Sequence, residues 1–252
     1  MTAALYRLET GRLLEARPGD ELVLDGAEGH HAATVKRARV GEQLLVADGG
    51  PRVAVCVVRA VGGATAGSLA LEIVEFSSHE HAGPRFVLVQ ALAKNDRDLQ
   101  ALEAATELGV DEIVPWQAER SIVQWKGERG QRAHRKWVSL AESAAKQSRR
   151  PSPPEVAELV NLKDLAARVA GAEAAFVLHE EAEQPLATAE LPATGEVLLV
   201  VGPEGGIGPR EIGELSAAGG LPVRLGRYVL RSSSAGPAAI AVLSAAGRWR
   251  TT

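Results

Sequence analysis

The stretch VVGPEGGIGPREIGEL, residues 200–215, places Gly202, Gly205, Gly206 and Gly208 between an apolar run and a helix expected to begin at Pro209. Glycines at a strand-to-helix junction remove side-chain obstruction, so backbone amides and carbonyls can approach a flat ligand. No Gly-Lys-Ser/Thr follows, so the lysine of a phosphate-cradling P-loop is missing. The glycines run G-x-x-G-G-x-G rather than G-x-G-x-x-G, which argues against a pyrophosphate turn. From this loop alone two readings stay open: backbone recognition of a nucleoside-like ligand, or a tight turn that caps a helix. A second loop, LGRYVLRSSSAGPAAIAVL (225–243), repeats the arrangement: a short strand end, an apolar-basic turn, then a small-residue helix. A third strand ends in LHEE, 178–181. Three such ends can share one pocket, because parallel α/β sheets bind ligands beyond the C-terminal ends of their strands.

The elements that must position these loops fall into two patterns. Residues 1–76 carry short alternating or continuous apolar runs (ELVLDG, EQLLVADGG, VAVCVVRAV, SLALEIVEF) bounded by Gly, Asp or Pro, with a helical turn or two expected at HHAATVKRARV. Strands at such spacing predict a small β-barrel. SSHEHAG, 77–83, reads as a linker. From Arg85 the pattern becomes β–α alternation, which predicts an α/β domain with a buried, mainly parallel sheet over 84–252. Its strands are RFVLVQALA, VDEIVPW, AAFVLHE, EVLLVVG and PVRLG; its helices are DRDLQALEAATELG, RKWVSLAESAAKQS, PREIGELSAAGG and SSAGPAAIAVLSAAGRW.

The 252 residues are 46% AVILMFWYC, enough for a sizeable core, and no apolar run is long enough to span a bilayer. The N-terminus lacks a signal-peptide core, so a soluble cytoplasmic protein is expected, with no membrane partner. Cys56 is the only cysteine, which excludes an intrachain disulfide, and in VAVCVV it reads as a small buried hydrophobe. Adjacent His30 and His31 have no third ligand at recognisable spacing, so no metal is expected. The net charge of −4 hides a segregation: between Arg120 and Arg150 nine Lys/Arg stand against two Glu, and between Glu155 and Glu196 nine Asp/Glu against two Lys/Arg. A basic segment in an acidic protein is either a solvated helix face or a phosphate-binding one.

GPEGGIGPREI followed by LGRYVLRSSSAGPAAIAVL resembles the paired signature of SPOUT-class, S-adenosylmethionine-dependent RNA methyltransferases. More narrowly, the chain resembles the ribosomal RNA small subunit methyltransferase E family. ALAKNDRDLQALEAATELGVDEIVPWQAERS, KWVSLAESAAKQSRRPSPPEV and HHAATVKRARVGEQLLVADGG are similar to further segments of that family, so the resemblance covers nearly the whole length. It implies a PUA-like RNA-binding barrel, and a SPOUT domain with a trefoil knot over roughly 196–245. It also implies a homodimer, S-adenosylmethionine as cofactor, and methylation of a uridine N3 in the 16S rRNA of the small ribosomal subunit. Carried onto this chain, it puts the cofactor at Leu178, His179, Gly202, Pro203, Glu204, Gly205, Gly206, Leu225, Gly226 and Leu230. Arg231 becomes the catalytic candidate, stabilising a uridine anion unless it pairs with a carboxylate such as Glu204. RNA contacts are expected at Arg7, His31, Lys36, Arg37, Arg120, Arg149 and Arg150. Relatives often carry Thr-Glu-Thr after this arginine where this chain has Ser232-Ser233-Ser234, so no role passes to that glutamate. Two rival readings are a SPOUT enzyme acting on another RNA, such as a tRNA ribose, and a non-catalytic RNA-binding assembly factor.

Overall fold

A computed structural model of the chain describes residues 3–50, 52–62, 67–78 and 83–250. It divides into two units, residues 1–80 with 145–153 and residues 81–144 with 154–252.

In the first unit the elements are β1 (Leu5–Arg7), β2 (Glu21–Leu24), α1 (Gly26–His30), β3 (Gln43–Ala47), β4 (Arg52–Val61) and β5 (Leu69–Ser78). The sheet order is β1-β3-β4-β5-β2, with β1 parallel to β3 and the other pairs antiparallel. Alternate side chains of all five strands, from Tyr6 and Leu22 at the two ends to Val46, Cys56 and Leu71 between, enter one core cluster. A sheet whose end strands share a core must curl around it, and register shifts in β4 at Val55/Cys56 and Val58/Ala60 supply the bend. β1 escapes the sequence reading because three residues are too few to show a period. The helical turn expected near residue 30 starts earlier, at Gly26, and continues as a π-helical turn over His31–Val35. β5 runs to Ser78, and residues 79–82 of the expected linker lie outside the described residues.

Cys56 is fully buried, and burial pushes its thiol up to about 12. The thiolate is the reactive form. The folded protein is therefore expected to resist iodoacetamide at mildly alkaline pH and to react completely once unfolded in guanidinium. Rapid labelling of the native protein would show that β4 opens.

The second unit is built from β6 (Arg85–Ala91), α2 (Arg97–Glu107), β7 (Glu112–Trp116), α3 (Gly127–Gln147), β8 (Glu155–Val156), α4 (Leu162–Gly171), β9 (Ala174–Leu178), β10 (Glu196–Val201), α5 (Pro209–Ala217), β11 (Leu221–Val223) and α6 (Ser232–Ala246). The last three residues of α3 fall in the first unit. All pairings are parallel, in the order β11-β9-β10-β6-β7-β8. Period-2 alternation sends Leu88 and Leu199 to one face, with Leu102 of α2, Trp137 of α3 and Ile240 of α6. Val87, Val89, Leu198 and Val200 go to the other, with Leu165 and Val169 of α4 and Leu215 of α5. Helices on both faces explain why the central strands read as unbroken apolar runs. α4 is absent from the sequence reading, although Asn161 caps it by accepting the Asp164 N–H at 3.1 Å and Leu162, Leu165 and Val169 follow a helical period. Trp116 is fully buried, and Trp125 packs edge-on against Trp137 at 5.2 Å between ring centroids, so both serve packing within this unit. No helix among the described residues is long and apolar enough to cross a membrane.

The two edges of this sheet differ in chemistry. At the N-terminal edge Arg168 forks onto Glu112 at 2.7 and 2.6 Å and reaches Glu196 at 3.2 Å, while Arg85 joins Glu196 at 3.1 Å. These charges satisfy one another, which suits a structural role. The C-terminal edge carries the loops.

Candidate functional site

β9, β10 and β11 place the three loop starts side by side, as the glycine spacing predicts. Val200 pairs with Val177 and Val223 with Leu178, so Gly202 begins its loop just past the level at which β9 gives way to His179. Leu178, His179, Leu225, Gly226 and Leu230 line one recess of about 110 Å³, together with Glu180, Val223, Tyr228 and Ala235. Gly202, Pro203, Glu204, Gly205 and Gly206 do not line it; they form the neighbouring turn that leaves β10. The structure thus gathers half of the expected cofactor residues in one cavity and sets the other half at the adjacent strand end.

The wall of the recess is open loop backbone. Residues 225–230 make no backbone hydrogen bond with any of the described residues. The flanking positions are paired: Arg224 donates to Gln184 at 2.9 Å, and the Arg231 carbonyl accepts from Ser234 and Ala235 at 2.8 and 3.0 Å. Leu225 is half-buried and residues 226–230 are exposed, so these donors and acceptors are open to solvent or to a ligand. A six-residue run of open donors and acceptors, backed by the leucine side chains, suits the hydrogen-bonding edge of a planar heterocycle. Arg224 and Arg227 also line the recess, and among the described residues it holds no lysine and no P-loop.

The glycine turn is held from three sides. The Gly206 N–H closes on the Pro203 carbonyl at 2.9 Å, with Gly206 at φ +71°. A Cβ on Gly202 would lie 2.7 Å from Ile207 Cγ1 and 3.1 Å from the Ile207 backbone nitrogen, so the turn closes this tightly only because residue 202 has no side chain. Glu204 accepts from the Lys94 N–H at 3.1 Å and pairs with Arg97 at 3.4 Å. It is therefore committed to the β6–α2 loop, and the alternative pairing with Arg231 is not what the structure shows. The Arg120 guanidinium donates to the Gly205 carbonyl at 2.8 Å. Fully buried Glu211 accepts the Gly208 N–H with one oxygen and the Glu119 N–H with the other, both at 2.8 Å.

Arg231 is the N-cap residue of α6, exposed, and without an ion pair among the described residues. Of the residues expected to meet RNA, Arg120 belongs to the second unit and is engaged with the glycine turn. The others lie in the first unit. There Arg7 donates from its guanidinium to the Arg150 carbonyl at 3.3 Å and from its backbone to Glu28 at 3.3 Å, while Lys146 also pairs with Glu28. His31 is half-buried, edge-on to Tyr6 at 6.1 Å. Lys36, Arg37 and Arg149 are exposed. Arg37 and Arg149 both sit at helix ends in the left-handed region, at φ 54° and 60°, where a long side chain is uncommon.

Sequence reasoning missed Gln90, Lys94 and Arg97 as site residues. For Gln90 a signal existed: an amide inside the apolar run RFVLVQALA. Asn95 and Asp96, which follow Lys94, are both left-handed at φ 58° and 56°, and Asn and Asp are the side chains most prone to that conformation.

Fold and site define an RNA methyltransferase class: the chain matches the RNA methyltransferase domain over residues 81–244 and the RNA methyltransferase PUA domain over residues 24–64. It is 42% identical over 236 residues to ribosomal RNA small subunit methyltransferase E of Mycobacterium tuberculosis, covering 92% of this chain and 89% of the relative. A methyltransferase of Legionella pneumophila solved with bound S-adenosylmethionine superposes with a TM-score of 0.77 at 28% identity, covering 98% of each chain. A Neisseria gonorrhoeae ribosomal RNA small subunit methyltransferase E shares the fold, with a TM-score of 0.80 at 23% identity over 97% of this chain and 98% of that one. The chain belongs to the ribosomal RNA small subunit methyltransferase E family.

Proposed function

We propose that this protein uses S-adenosylmethionine to methylate N3 of a uridine in 16S rRNA, acting on the small ribosomal subunit in the cytoplasm. The observation that carries the reading is the open backbone run at 225–230 beside the glycine turn, in a chain of this family. The residues fit the cofactor: leucines offer apolar walls, backbone groups offer an edge for adenine, and the glycines leave room for ribose. When bound, the cofactor supplies an electrophilic methyl group.

The chain's own part is to hold the base and to make its nitrogen a nucleophile. Uridine N3 reacts only as its proton leaves, so negative charge grows on the uracil ring. Arg231 meets that charge by hydrogen-bonding an exocyclic uracil oxygen; a guanidinium does not lose its own proton and is not the base. Lys36, Arg37 and Arg149 bind phosphates on the PUA-like unit, with His31, Arg7 and Arg150 beside them, and the target base leaves its stack to reach the recess. Arg120, exposed while it donates to the glycine turn, is the RNA contact of the second unit. The reading includes a homodimer, a trefoil-knotted path over roughly 196–245, and domain limits near 76 and 84.

The test is methyl transfer from labelled S-adenosylmethionine to small subunits that lack the modification, followed by mass spectrometry of the nucleosides. 3-Methyluridine is expected. A different methylated nucleoside would overturn the substrate assignment, cofactor binding without any transfer would favour another RNA substrate, and no cofactor binding would favour a non-catalytic role.

A further inference from the structure

Gln90 is the one interior polar side chain of β6, and it is fully buried. Its amide nitrogen donates to Ser232 Oγ at 3.0 Å and to the Ala91 carbonyl at 3.2 Å. Its side-chain oxygen is buried with no partner among the described residues. Around this pair the seam between β6 and α6 is apolar and tight: a Cβ on Gly236 would lie 2.7 Å from Leu88 Cδ1. Ser232 stands one helical turn before Gly236, and Gln90 stands two residues beyond Leu88 on the same strand face. Two strand residues advance about 6.6 Å and four helical residues about 6.0 Å. Helix and strand run antiparallel and stay in step, so Gln90 falls beneath Ser232 when Gly236 falls on Leu88.

Replacing both partners of a buried hydrogen bond by apolar groups of similar shape is often neutral or stabilising, and an orphaned oxygen counts against the pair. Stability is therefore not what Gln90 contributes. Apolar contacts are non-directional and would let the first turn of α6 rotate or slide on the sheet. A hydrogen bond fixes both distance and angle. The turn it fixes begins at Arg231, whose carbonyl accepts the Ser234 and Ala235 amides.

We infer that Gln90 is a positioning residue: through Ser232 it sets the height and rotation of the first turn of α6, and so the point from which the Arg231 side chain leaves the backbone. The catalytic consequence of this role rests on the methyl-transfer reading; the structural one does not.

The experiment compares the wild-type protein with Gln90→Met, Ser232→Ala, Ser232→Thr and the double variant Gln90→Met with Ser232→Ala. Gln90→Met leaves the buried Ser232 hydroxyl without its donor and is expected to lower Tm slightly, whereas the double variant removes both partners and should keep it. In Gln90→Met the Ser234 and Ala235 amides exchange with deuterium at least about tenfold faster and those near Leu243 are unchanged. Its kcat should fall about ten- to a hundredfold with KM and cofactor affinity unchanged. Ser232→Ala should match it, and Ser232→Thr, which keeps the hydroxyl, should remain close to wild type. Unchanged exchange in Gln90→Met overturns the positioning role whatever the activity. Faster exchange with an unchanged kcat overturns its link to Arg231. A wild-type protein that transfers no methyl group overturns the methyltransferase reading instead, and the exchange data still decide what Gln90 does.

Discussion

Arg231→Ala is expected to lower kcat for methyl transfer by about 10²–10³-fold, the usual loss when one pre-aimed donor to a developing anion is removed. Cofactor affinity should stay within a factor of about two, because residues 225–230 line the recess and Arg231 does not. Stability should change by less than about 0.5 kcal/mol, as at other exposed positions outside an ion-pair network. Arg231 meets that condition: Glu204, the carboxylate of the glycine turn, is already held by Lys94 and Arg97. Arg231→Lys should fall between the two, since an ammonium keeps the charge and loses the planar fork. Steady-state kinetics on small subunits separate the alternatives. A rise in KM with kcat preserved would make Arg231 a phosphate anchor. No change in either would remove it from the reaction.

What the sequence could show follows from which interactions are local. β6, β9 and β10 are legible because strands buried on both faces leave continuous apolar runs, and α2 because Leu99, Leu102 and Ala105 repeat at helical spacing up to a Gly109 cap. α4 had its cap and its period too, but lay in a stretch read only for its acidic charge. The glycine turn announced a close backbone approach without naming the neighbour: Arg120 and Gly205 are 85 residues apart, and Glu204 meets Lys94 across 110. For Arg120 the sequence registers the charge and not the carbonyl it donates to. Likewise the open backbone of 225–230 has no residue-type signature, since whether an N–H is paired depends on which strand stops beside it. Gln90 is the mixed case. Its place in an apolar strand was visible, and its partner, 142 residues away, was not.

Gly202→Ala should weaken S-adenosylmethionine binding by about ten- to a hundredfold, roughly 1.4–2.7 kcal/mol, while the protein remains folded. The added methyl would stand 2.7 Å from Ile207 Cγ1, 3.1 Å from the Ile207 nitrogen and 3.2 Å from the Gly206 carbonyl carbon. The first contact is with a side chain and the other two are with backbone, so a new rotamer of Ile207 cannot relieve the strain alone. Ile207 is also 4% exposed and packed among Val89, Val200 and Leu215, which leaves it little room to turn. The cheaper response is for the turn to lift away from β10, and lifting it carries Gly205 and Gly206 out of the positions in which Arg120 and Pro203 hold them. A double variant, Gly202→Ala with Ile207→Ala, removes the shortest contact and leaves the backbone ones, so affinity should recover in part at a cost in stability. Gly213→Ala is the matched control: it lies inside α5, its Cβ would meet nothing within 4 Å, and alanine there should stabilise the helix by about 0.5–1 kcal/mol without touching the cofactor. Isothermal titration with S-adenosylmethionine, read beside Tm, decides the matter. Wild-type affinity in a folded Gly202→Ala protein would mean that the turn can move without consequence, and that the recess at 225–230 binds the ligand without it.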